Sequence, residues 1–289
     1  MTSSNTENQI PLNPPFIKGE DKHSVGAIGV FDSGVGGLSV LQHIRQTLPD
    51  ERLIYVADSG HVPYGGKSPA YIEARSLAIT RFLISQGAEA IVIACNTATA
   101  AAAHTLRVKF NKMPILGMEP AVKPAVSVTQ SRVVGVLATV GTLESARFAA
   151  LLEKYGGWRF KIVTQGCPGL VEQVERGELH SARTRELIER YTTPLLQKGA
   201  DTLILGCTHY PFLAPLIREV VGEHITLIDT GAAVARHLMH RVKTELPPRV
   251  VGSGSEEFFT SGNVEEASHI MSMLWGKEIV VQQLPDEIL

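Results

Sequence analysis

Two cysteines occupy similar positions in the two halves of the chain. Cys95 follows the apolar residues 91–94, and Cys207 follows residues 203–206, which are also mainly apolar. Each run is typical of a buried strand, and open α/β sheets bind their ligands at the carboxyl ends of strands. A thiolate is a strong nucleophile and base. Two such thiols in similar halves predict one substrate with a thiol on each side.

The residues after each cysteine favour a functional site. Asn96 and Thr97 are expected to cap a helix over residues 98–109, whose amino terminus would raise the thiolate fraction of Cys95. His209 follows Cys207 by two residues and could assist proton transfer or orient a substrate. A buried cysteine is more often an ordinary small hydrophobic residue. Two in matched contexts shift the interpretation toward function.

The third cysteine, Cys167, lies in the turn-like residues 165–169 and has no polar cluster after it, which favours structural packing. No CxxC pair or compact His and Cys cluster occurs in the sequence, so no metal site is predicted. Three cysteines do not make a disulfide framework, which predicts a reducing, cytoplasmic location.

Two glycine-containing loops could contact a ligand. Residues 32–38, DSGVGGL, fit neither the GxGxxG fingerprint nor a P-loop, and Asp32 would repel a phosphate. Asp32 suits an ammonium group or proton transfer beside a thiol, and capping of the next helix explains it equally well.

The second loop, residues 62–68, contains Tyr64, which could close over a small ligand. Lys67 suggests either a Schiff-base lysine or a surface residue before a helix cap at Ser68, and no organic cofactor is predicted.

Composition limits the class of protein. The 289 residues, 44% hydrophobic and 19% charged, are enough for two globular domains. The net charge of −2 argues against a nucleic-acid-binding surface. No apolar run reaches the roughly 18 residues of a membrane span, and no secretory signal is present. Residues 1–24 are polar and without periodicity, so they are predicted to be a disordered extension.

The remaining chain alternates short apolar runs with amphipathic stretches such as residues 68–85, which predicts an α/β fold with parallel sheets covered on both faces. The predicted strands are residues 27–31, 53–57, 90–94, 115–118, 133–137, 160–163, 202–205, 226–228 and 257–260.

A possible duplication relates the two halves. Asp32 and Thr139 each follow a predicted strand and are 107 positions apart, and the two cysteines are 112 positions apart. These similar spacings favour a duplicated unit with pseudo-two-fold symmetry, which would set the cysteines across a cleft. Coincidence within an α/β chain is the alternative.

Five motifs, in this order, resemble those of the glutamate racemases. They are FDSGVGGL at residues 31–38, PYG at 63–65, ACNTA at 94–98, ATVGT at 138–142 and LGCTHYP at 205–211. The similarity runs over about residues 26–238. The cysteine, asparagine and threonine run alone would indicate only the wider superfamily of cofactor-independent amino-acid racemases and related enzymes.

The resemblance implies two similar, doubly wound parallel-sheet domains with the active site in the cleft between them. Each domain is discontinuous in such proteins, so residues 25–118 plus 232–289 are expected to form the first domain and residues 119–231 the second. The family interconverts L-glutamate and D-glutamate without pyridoxal phosphate or metal, and it supplies D-glutamate for peptidoglycan.

The resemblance also implies residue roles. Cys95 would deprotonate D-glutamate and Cys207 L-glutamate, with Asp32 and His209 assisting and contacting the substrate. Glu175 matches a further assisting carboxylate only loosely, so its role stays open. The residues expected to hold the ammonium and carboxylate groups are Ser33, Tyr64, Gly65, Asn96, Thr97, Thr139, Thr142 and Thr208.

Some properties stay open at this stage. Members of the family differ in dimer arrangement and in activation by a peptidoglycan precursor, so a homodimer and such regulation are both expectations here. An aspartate racemase would keep both cysteines, whereas a one-cysteine decarboxylase would lack one. A non-catalytic protein that only binds an amino acid in the cleft is a third alternative.

Overall fold

The computed structural model describes residues 26–247 and 252–288; the predicted extension 1–24 lies outside the described residues. Strands and helices alternate along the described chain. The strands are β1 (Ala27–Asp32), β2 (Arg52–Ala57), β3 (Ala88–Ile93), β4 (Ile115–Gly117), β5 (Val133–Ala138), β6 (Lys161–Gly166), β7 (Thr202–Leu205), β8 (Thr226–Ile228), β9 (Ser255–Thr260) and β10 (Val281–Gln283).

The helices fill most of the intervals between strands. They are α1 (Leu38–Thr47), α2 (Pro69–Ser85), α3 (Asn96–Lys109), α4 (Val122–Val128), α5 (Val140–Leu143), α6 (Ala146–Tyr155), α7 (Leu170–Glu175), α8 (Ala182–Gln197), α9 (Ala214–Val221), α10 (Gly231–Glu245) and α11 (Val264–Trp275). Ser68 caps α2 by accepting the Tyr71 N–H, as the sequence predicts.

The strands form two parallel sheets with matching topology. The first has the order β10-β9-β2-β1-β3-β4, and the second has the order β6-β5-β7-β8. All described strand pairings are parallel. Strands β2-β1-β3-β4 correspond in order to β6-β5-β7-β8. The α/β prediction is confirmed, and the shared order is what a duplicated unit requires.

Each sheet reverses its winding direction at one point. In the first sheet β1 pairs with β2 on one side and β3 on the other, and in the second sheet β5 lies between β6 and β7 in the same way. The crevice beyond the carboxyl ends of such strands is the usual ligand site of an open α/β sheet. Asp32 and Cys95 lie at this point in the first sheet, and Thr139 and Cys207 lie there in the second.

Helices cover both faces of each sheet, which explains the near-continuous apolar strands. In β1, Ile28 and Val30 pack in one apolar cluster with α1, α10 and α11, whereas Phe31 packs in another with α2 and α3. In the second sheet, Val136 packs with α4 and α6, and Leu203 packs with α7, α8 and α9.

The strand membership of the sheets supports the predicted domain division. Strands within residues 27–117 and 255–283 form the first sheet, and strands within 133–228 form the second. Helix α10 packs against α1, so the chain returns to the first sheet after β8. The boundaries at residues 118 and 231 stay a prediction.

The nine predicted strands are all present, with ends shifted by a few residues at most. Strand β10 was not predicted because it has three residues, two of them glutamines, and pairs only with β9 at the sheet edge. Within the ranges that the structure describes, none of the helices combines the length and apolar composition needed to span a bilayer.

The Asp201 carboxylate connects the segment before β5 to the start of β7. It accepts hydrogen bonds from Thr129 Oγ1 (2.6 Å), Gln130 N (2.8 Å), Ser131 N (2.6 Å) and Thr202 Oγ1 (2.9 Å). Partial burial raises the pKa of Asp201, but these hydrogen bonds outweigh it and bring the pKa to about 2.

We expect Asp201→Asn to lower the free energy of unfolding at pH 7 by about 1–2 kcal/mol, since hydrogen bonds to a charged acceptor are lost. The folded pKa lies below the unfolded value of about 3.9, so the stabilisation is present above about pH 4 and disappears as the pH falls toward 2. Urea unfolding measures the free energy of unfolding of both proteins across this range, and the difference between wild type and Asp201→Asn should become smaller as the pH falls. If that difference does not change with pH, the carboxylate does not have this role.

Candidate active site

A pocket of about 290 Å³ lies where the carboxyl ends of the two sheets meet, and both sheets contribute to its walls. The lining residues are Ser33, Pro63, Tyr64, Gly65, Cys95, Asn96, Thr97, Thr139, Thr142, Val171, Gly206, Cys207, Thr208 and His209.

Cys95 and Cys207 have equivalent places in the two sheets. Each is the second residue after its strand, β3 or β7. Both side chains are buried, with 5% and 7% exposure, and neither cysteine is in a disulfide. The equal offset from equivalent strands brings both thiols to one pocket.

Cys95 itself caps α3. The expectation that Asn96 and Thr97 are the caps was wrong, because the helix begins at Asn96, directly after the strand-end cysteine. The Cys95 Sγ accepts the Ala98 N–H at 3.4 Å. The positive end of a helix therefore points at the sulfur, which favours the thiolate when it forms.

Asp32 is a buried carboxylate that contacts residues of both halves. Its Oδ1 accepts the Ser33 N–H at 2.7 Å, and its Oδ2 accepts the Gly37 N–H at 2.6 Å and the Thr208 hydroxyl at 3.1 Å. The Cys95 thiol donates to the Ser33 hydroxyl at 3.8 Å, and that hydroxyl donates to Asp32 Oδ1 at 3.2 Å. Asp32 is not the cap of α1, because the N-cap residue is Gly37. The carboxylate instead orders the loop before this helix and lies on the Cys95 side of the pocket.

The surroundings of Cys95 keep it protonated at neutral pH. Burial raises the pKa of the Cys95 thiol well above its usual value, and the Asp32 carboxylate raises it further. A charge on Cys207 also raises the pKa of Cys95. The Ala98 N–H opposes these effects without overcoming them. Burial likewise raises the pKa of Asp32, although the charge on His209 acts in the opposite direction.

Cys207 has a different set of partners. Its Sγ lies 3.7 Å from His209 Nδ1, and His209 Nε2 lies 2.6 Å from Glu175 Oε1. The same Glu175 oxygen accepts the Val35 N–H of the first half at 2.7 Å. Sulfur, imidazole and carboxylate therefore form a chain that ends on the β1–α1 loop.

This chain favours a protonated His209. Burial lowers the pKa of the imidazole, but the hydrogen bonds to Cys207 and Glu175 outweigh it and raise the pKa well above its usual value. An imidazolium stabilises a neighbouring thiolate. The Cys95 side of the pocket therefore carries a thiol beside a carboxylate, whereas the Cys207 side carries a histidine cation.

The glycines of residues 32–38 allow this loop to approach the chain of Cys207 partners. A Cβ at Gly34 would lie 2.0 Å from Glu175 Oε1, and a Cβ at Gly36 would lie 2.2 Å from His209 Nδ1. These distances are far below van der Waals contact. The absence of side chains at Gly34 and Gly36 therefore allows this loop to pack against Glu175 and His209.

Hydroxyl and amide groups line the rest of the pocket. The Thr97 hydroxyl lies 2.8 Å from that of Thr139 and 3.2 Å from that of Thr142, so residues of both halves meet there. The Asn96 Nδ2 is buried and has no hydrogen-bond acceptor among the described residues. An amide donor and three hydroxyls at helix amino termini suit a carboxylate ligand.

The loop that carries Tyr64 forms another wall. Tyr64 is 1% exposed, and its hydroxyl donates to the buried Asp58 carboxylate at 2.5 Å. Burial, followed by the charge of Asp58, raises the pKa of Tyr64, so the phenol stays protonated. Gly65 packs against Thr139, where a Cβ would lie 3.1 Å from the Thr139 Cβ.

The structure brings together every site residue that the sequence predicts. All of them line the pocket except Asp32, which lies behind it in contact with Ser33, Cys95 and Thr208. Cys167 is buried outside the lining, its thiol donates to the Gln165 carbonyl oxygen, and burial raises its pKa to about 12.

Sequence reasoning missed three lining residues and two supporting ones. Val171, Pro63 and Gly206 line the pocket, and Asp58 and Arg75 lie behind Tyr64. Asp58 directly follows β2 next to Asp32, so its strand-end position was an available signal. Arg75 gave no signal, since it is one of several polar residues on α2. In residues 26–247 and 252–288, no group of three or more His, Cys, Asp or Glu residues is placed to hold a metal ion.

Comparisons with known proteins agree with this geometry. Residues 28–238 match the family model for Asp/Glu/Hydantoin racemase. A glutamate racemase from Methylococcus capsulatus is 55% identical over 259 residues, which cover 89% of this chain and 95% of the relative.

Solved structures are also similar. A glutamate racemase isoform from Bacillus anthracis has a TM-score of 0.81 at 32% identity, covering 92% of this chain and 100% of that one. The Escherichia coli glutamate racemase, solved with L-glutamate and the activator UDP-MurNAc-Ala, has a TM-score of 0.81 at 33% identity, covering 90% and 98%.

We expect Asp32→Asn to increase the rate at which iodoacetamide alkylates Cys95 at neutral pH. The substitution removes the carboxylate that raises the pKa of this thiol, so more thiolate forms. Peptide mass spectrometry separates Cys95 from the other two cysteines, and Glu153→Gln on the exposed face of α6 is the control. Equal rates in wild-type, Asp32→Asn and control proteins would show that the carboxylate does not govern this thiol.

We expect Glu175→Gln to lower the pKa of His209, because it removes the charged acceptor of the imidazole. Imidazole NMR signals followed against pH measure this, with the His209 signal assigned by its loss in His209→Gln. The control is Glu178→Gln, at an exposed position three residues after Glu175, and it should leave the pKa of His209 unchanged. A His209 pKa that is the same in all three proteins would exclude Glu175 as the cause.

Proposed function

The chain belongs to the Asp/Glu/hydantoin racemase family, and as a glutamate racemase of that family we propose that it uses Cys95 and Cys207 as its two proton-transfer groups. The observation that carries the mechanism is that two buried thiols, each with its own charged partner, line one pocket. The D-glutamate produced serves peptidoglycan synthesis.

Two groups are needed because a single base returns the proton to the face from which it came. Inversion at the α-carbon requires one group to remove the proton and a second to deliver a proton to the opposite face. The two strand-end thiols are close enough that a charge on Cys207 raises the pKa of Cys95. This coupling favours one thiolate and one thiol in the pocket.

With L-glutamate, the Cys207 thiolate takes the α-proton and becomes a thiol. The electron pair of the C–H bond stays on the α-carbon as a carbanion, which takes a proton from the Cys95 thiol to give D-glutamate. Cys95 is then the thiolate. The raised pKa values of Cys95 and His209 support these roles, since a thiol is then available on the Cys95 side and an imidazolium lies beside Cys207.

With D-glutamate the roles are reversed. The Cys95 thiolate takes the α-proton, and the Cys207 thiol supplies a proton to the other face. The Ala98 N–H of α3 stabilises the Cys95 thiolate during this step. His209 and Asp32 assist by adjusting the charge around each sulfur, and Glu175 holds the His209 ring in place through Nε2.

The polar lining binds the charged groups of the substrate. Asn96 Nδ2 and the hydroxyls of Thr97, Thr139 and Thr142 are donors for a carboxylate. Asp32 and the hydroxyls near it suit the ammonium group. Those hydroxyls belong to Ser33 and Thr208, which bond to Asp32, and Tyr64 and Gly65 belong to the remaining lining.

The carbanion beside a carboxylate is costly to form, so fixed donors and exclusion of water matter most for the rate. Most of the lining residues are already buried in the free protein, and the pocket is small. The donors therefore need little rearrangement when charge develops.

Regulation and assembly extend this proposal. The Escherichia coli racemase is described with UDP-MurNAc-Ala as its activator, which supports regulation of this chain by a similar peptidoglycan precursor. We also propose that the protein is cytoplasmic, where its D-glutamate would be supplied to peptidoglycan precursor synthesis. The homodimer stays a prediction.

We expect Cys95→Ala and Cys207→Ala each to lower racemisation by about 10²–10⁴-fold or more, since each removes one proton-transfer group. In deuterium oxide, Cys95→Ala should still exchange the α-hydrogen of L-glutamate but not of D-glutamate, and Cys207→Ala should show the opposite. NMR of the α-hydrogen and circular dichroism of the products measure exchange and inversion.

Cys167→Ala is the matched control, because this buried thiol lies outside the pocket lining, and it should retain racemisation. Retained activity in both pocket variants would exclude the two-thiol mechanism. A panel with aspartate in place of glutamate tests the substrate, and turnover of aspartate alone would overturn the assignment to glutamate.

A further inference from the structure

A buried ion pair lies directly behind the Tyr64 wall of the pocket. Asp58 is fully buried, and its two carboxylate oxygens accept from Arg75 Nη2 at 2.6 Å and Nε at 3.0 Å. Its Oδ2 also accepts the Tyr64 hydroxyl. Two parallel bonds from a guanidinium fix the plane of a carboxylate, which a single bond does not.

The Arg75 side chain has a third partner. Its Nη1 donates to the carbonyl oxygen of Ile288 at 2.5 Å, and its side chain is only 11% exposed. Arg75 therefore holds Asp58 on one side and the segment after β10 on the other. The guanidinium is therefore held by both partners and has little freedom to move.

The Tyr64 loop in turn contacts the second half. A Cβ at Gly141 would lie 3.1 Å from the Gly65 carbonyl oxygen, and Gly65 packs on Thr139. The hydroxyls of Thr139 and Thr142 belong to the donor group described above. The position of Tyr64 therefore determines how closely Gly65 packs against Thr139 and Gly141 of the second half.

We propose that Arg75 is a positioning residue for racemisation: it orients Asp58, which holds the Tyr64 hydroxyl and so fixes the loop against Thr139 and Thr142. This inference rests on the proposed function. Arg75 lines no part of the pocket and touches no reacting atom. It acts through the carboxylate and the phenol, and a small displacement of groups that position a substrate can cost up to about 100-fold in rate.

The backbone of Asp58 supports the same conclusion. Its N–H donates to the Asp32 carbonyl oxygen at 3.0 Å, so the residue that orients Tyr64 is anchored to the strand end that carries Asp32. A change at Asp58 is therefore transmitted to two walls of the pocket. A buried carboxylate without Arg75 would lose its compensating charge.

The test is Arg75→Lys, which keeps the charge but loses the two parallel bonds. We expect kcat/KM for both glutamate enantiomers to fall about tenfold, mainly through kcat. The matched control is Arg52→Lys. Arg52 also joins a carboxylate, Glu257 Oε1 at 2.6 Å, to a backbone carbonyl, that of Gln86 at 2.9 Å, but at the opposite end of β2. It should lower the melting temperature without changing kcat/KM.

A double-mutant cycle with Tyr64→Phe separates positioning from general destabilisation. If Arg75 acts through the Tyr64 hydroxyl, Arg75→Lys should change kcat/KM by less than about twofold in the Tyr64→Phe background. Independent, additive effects would overturn the proposal, and so would equal kinetic losses in Arg75→Lys and Arg52→Lys while the wild type racemises glutamate. A wild type that does not racemise glutamate would overturn the proposed function and this inference together.

Discussion

Two thiols share one small buried pocket, and a negative charge on one opposes a negative charge on the other. Burial raises the pKa of Cys95, and a charge on Cys207 raises it further. In the proposed mechanism this repulsion favours one thiolate and one thiol, the combination that inversion at a carbon centre requires. The ends of β3 and β7 place the two sulfurs in the same pocket, and the surrounding loops bury them.

The duplicated fold gives the thiols equivalent positions, but their partners differ. Cys95 hydrogen-bonds to the first turn of a helix and, through the Ser33 hydroxyl, connects to the Asp32 carboxylate, whereas Cys207 faces an imidazole held by Glu175. The charge around each sulfur is therefore different. In the proposed mechanism, the proton-transfer group on each face of the substrate therefore has a different charged partner.

The site depends on contacts between the halves. Asp32 of the first half accepts the Thr208 hydroxyl of the second, Glu175 of the second half accepts the Val35 N–H of the first, and the Thr97 hydroxyl meets that of Thr139. Each contact joins residues that are far apart in sequence. A movement of one half relative to the other would change both acid and base sets at once. The Tyr64 loop, held by Asp58 and Arg75, adds a fourth contact of this kind.

Local patterns in the sequence were enough for the α/β class, nine of the ten described strands and the strand-end positions of both cysteines, because these features are encoded within a few neighbouring residues. The resemblance of five short motifs to a known family supplied the full set of site residues, all of which line the pocket except Asp32. They did not show that Cys95 caps its own helix, since the first helical residue depends on how the chain leaves the strand. They also did not show the partners of His209, the reason for the glycines beside it, or the pairing of Asp58 with Arg75. Those depend on residues up to 173 positions apart, such as Gly36 and His209, meeting between the two sheets, and only the packing of the folded chain brings such groups into contact.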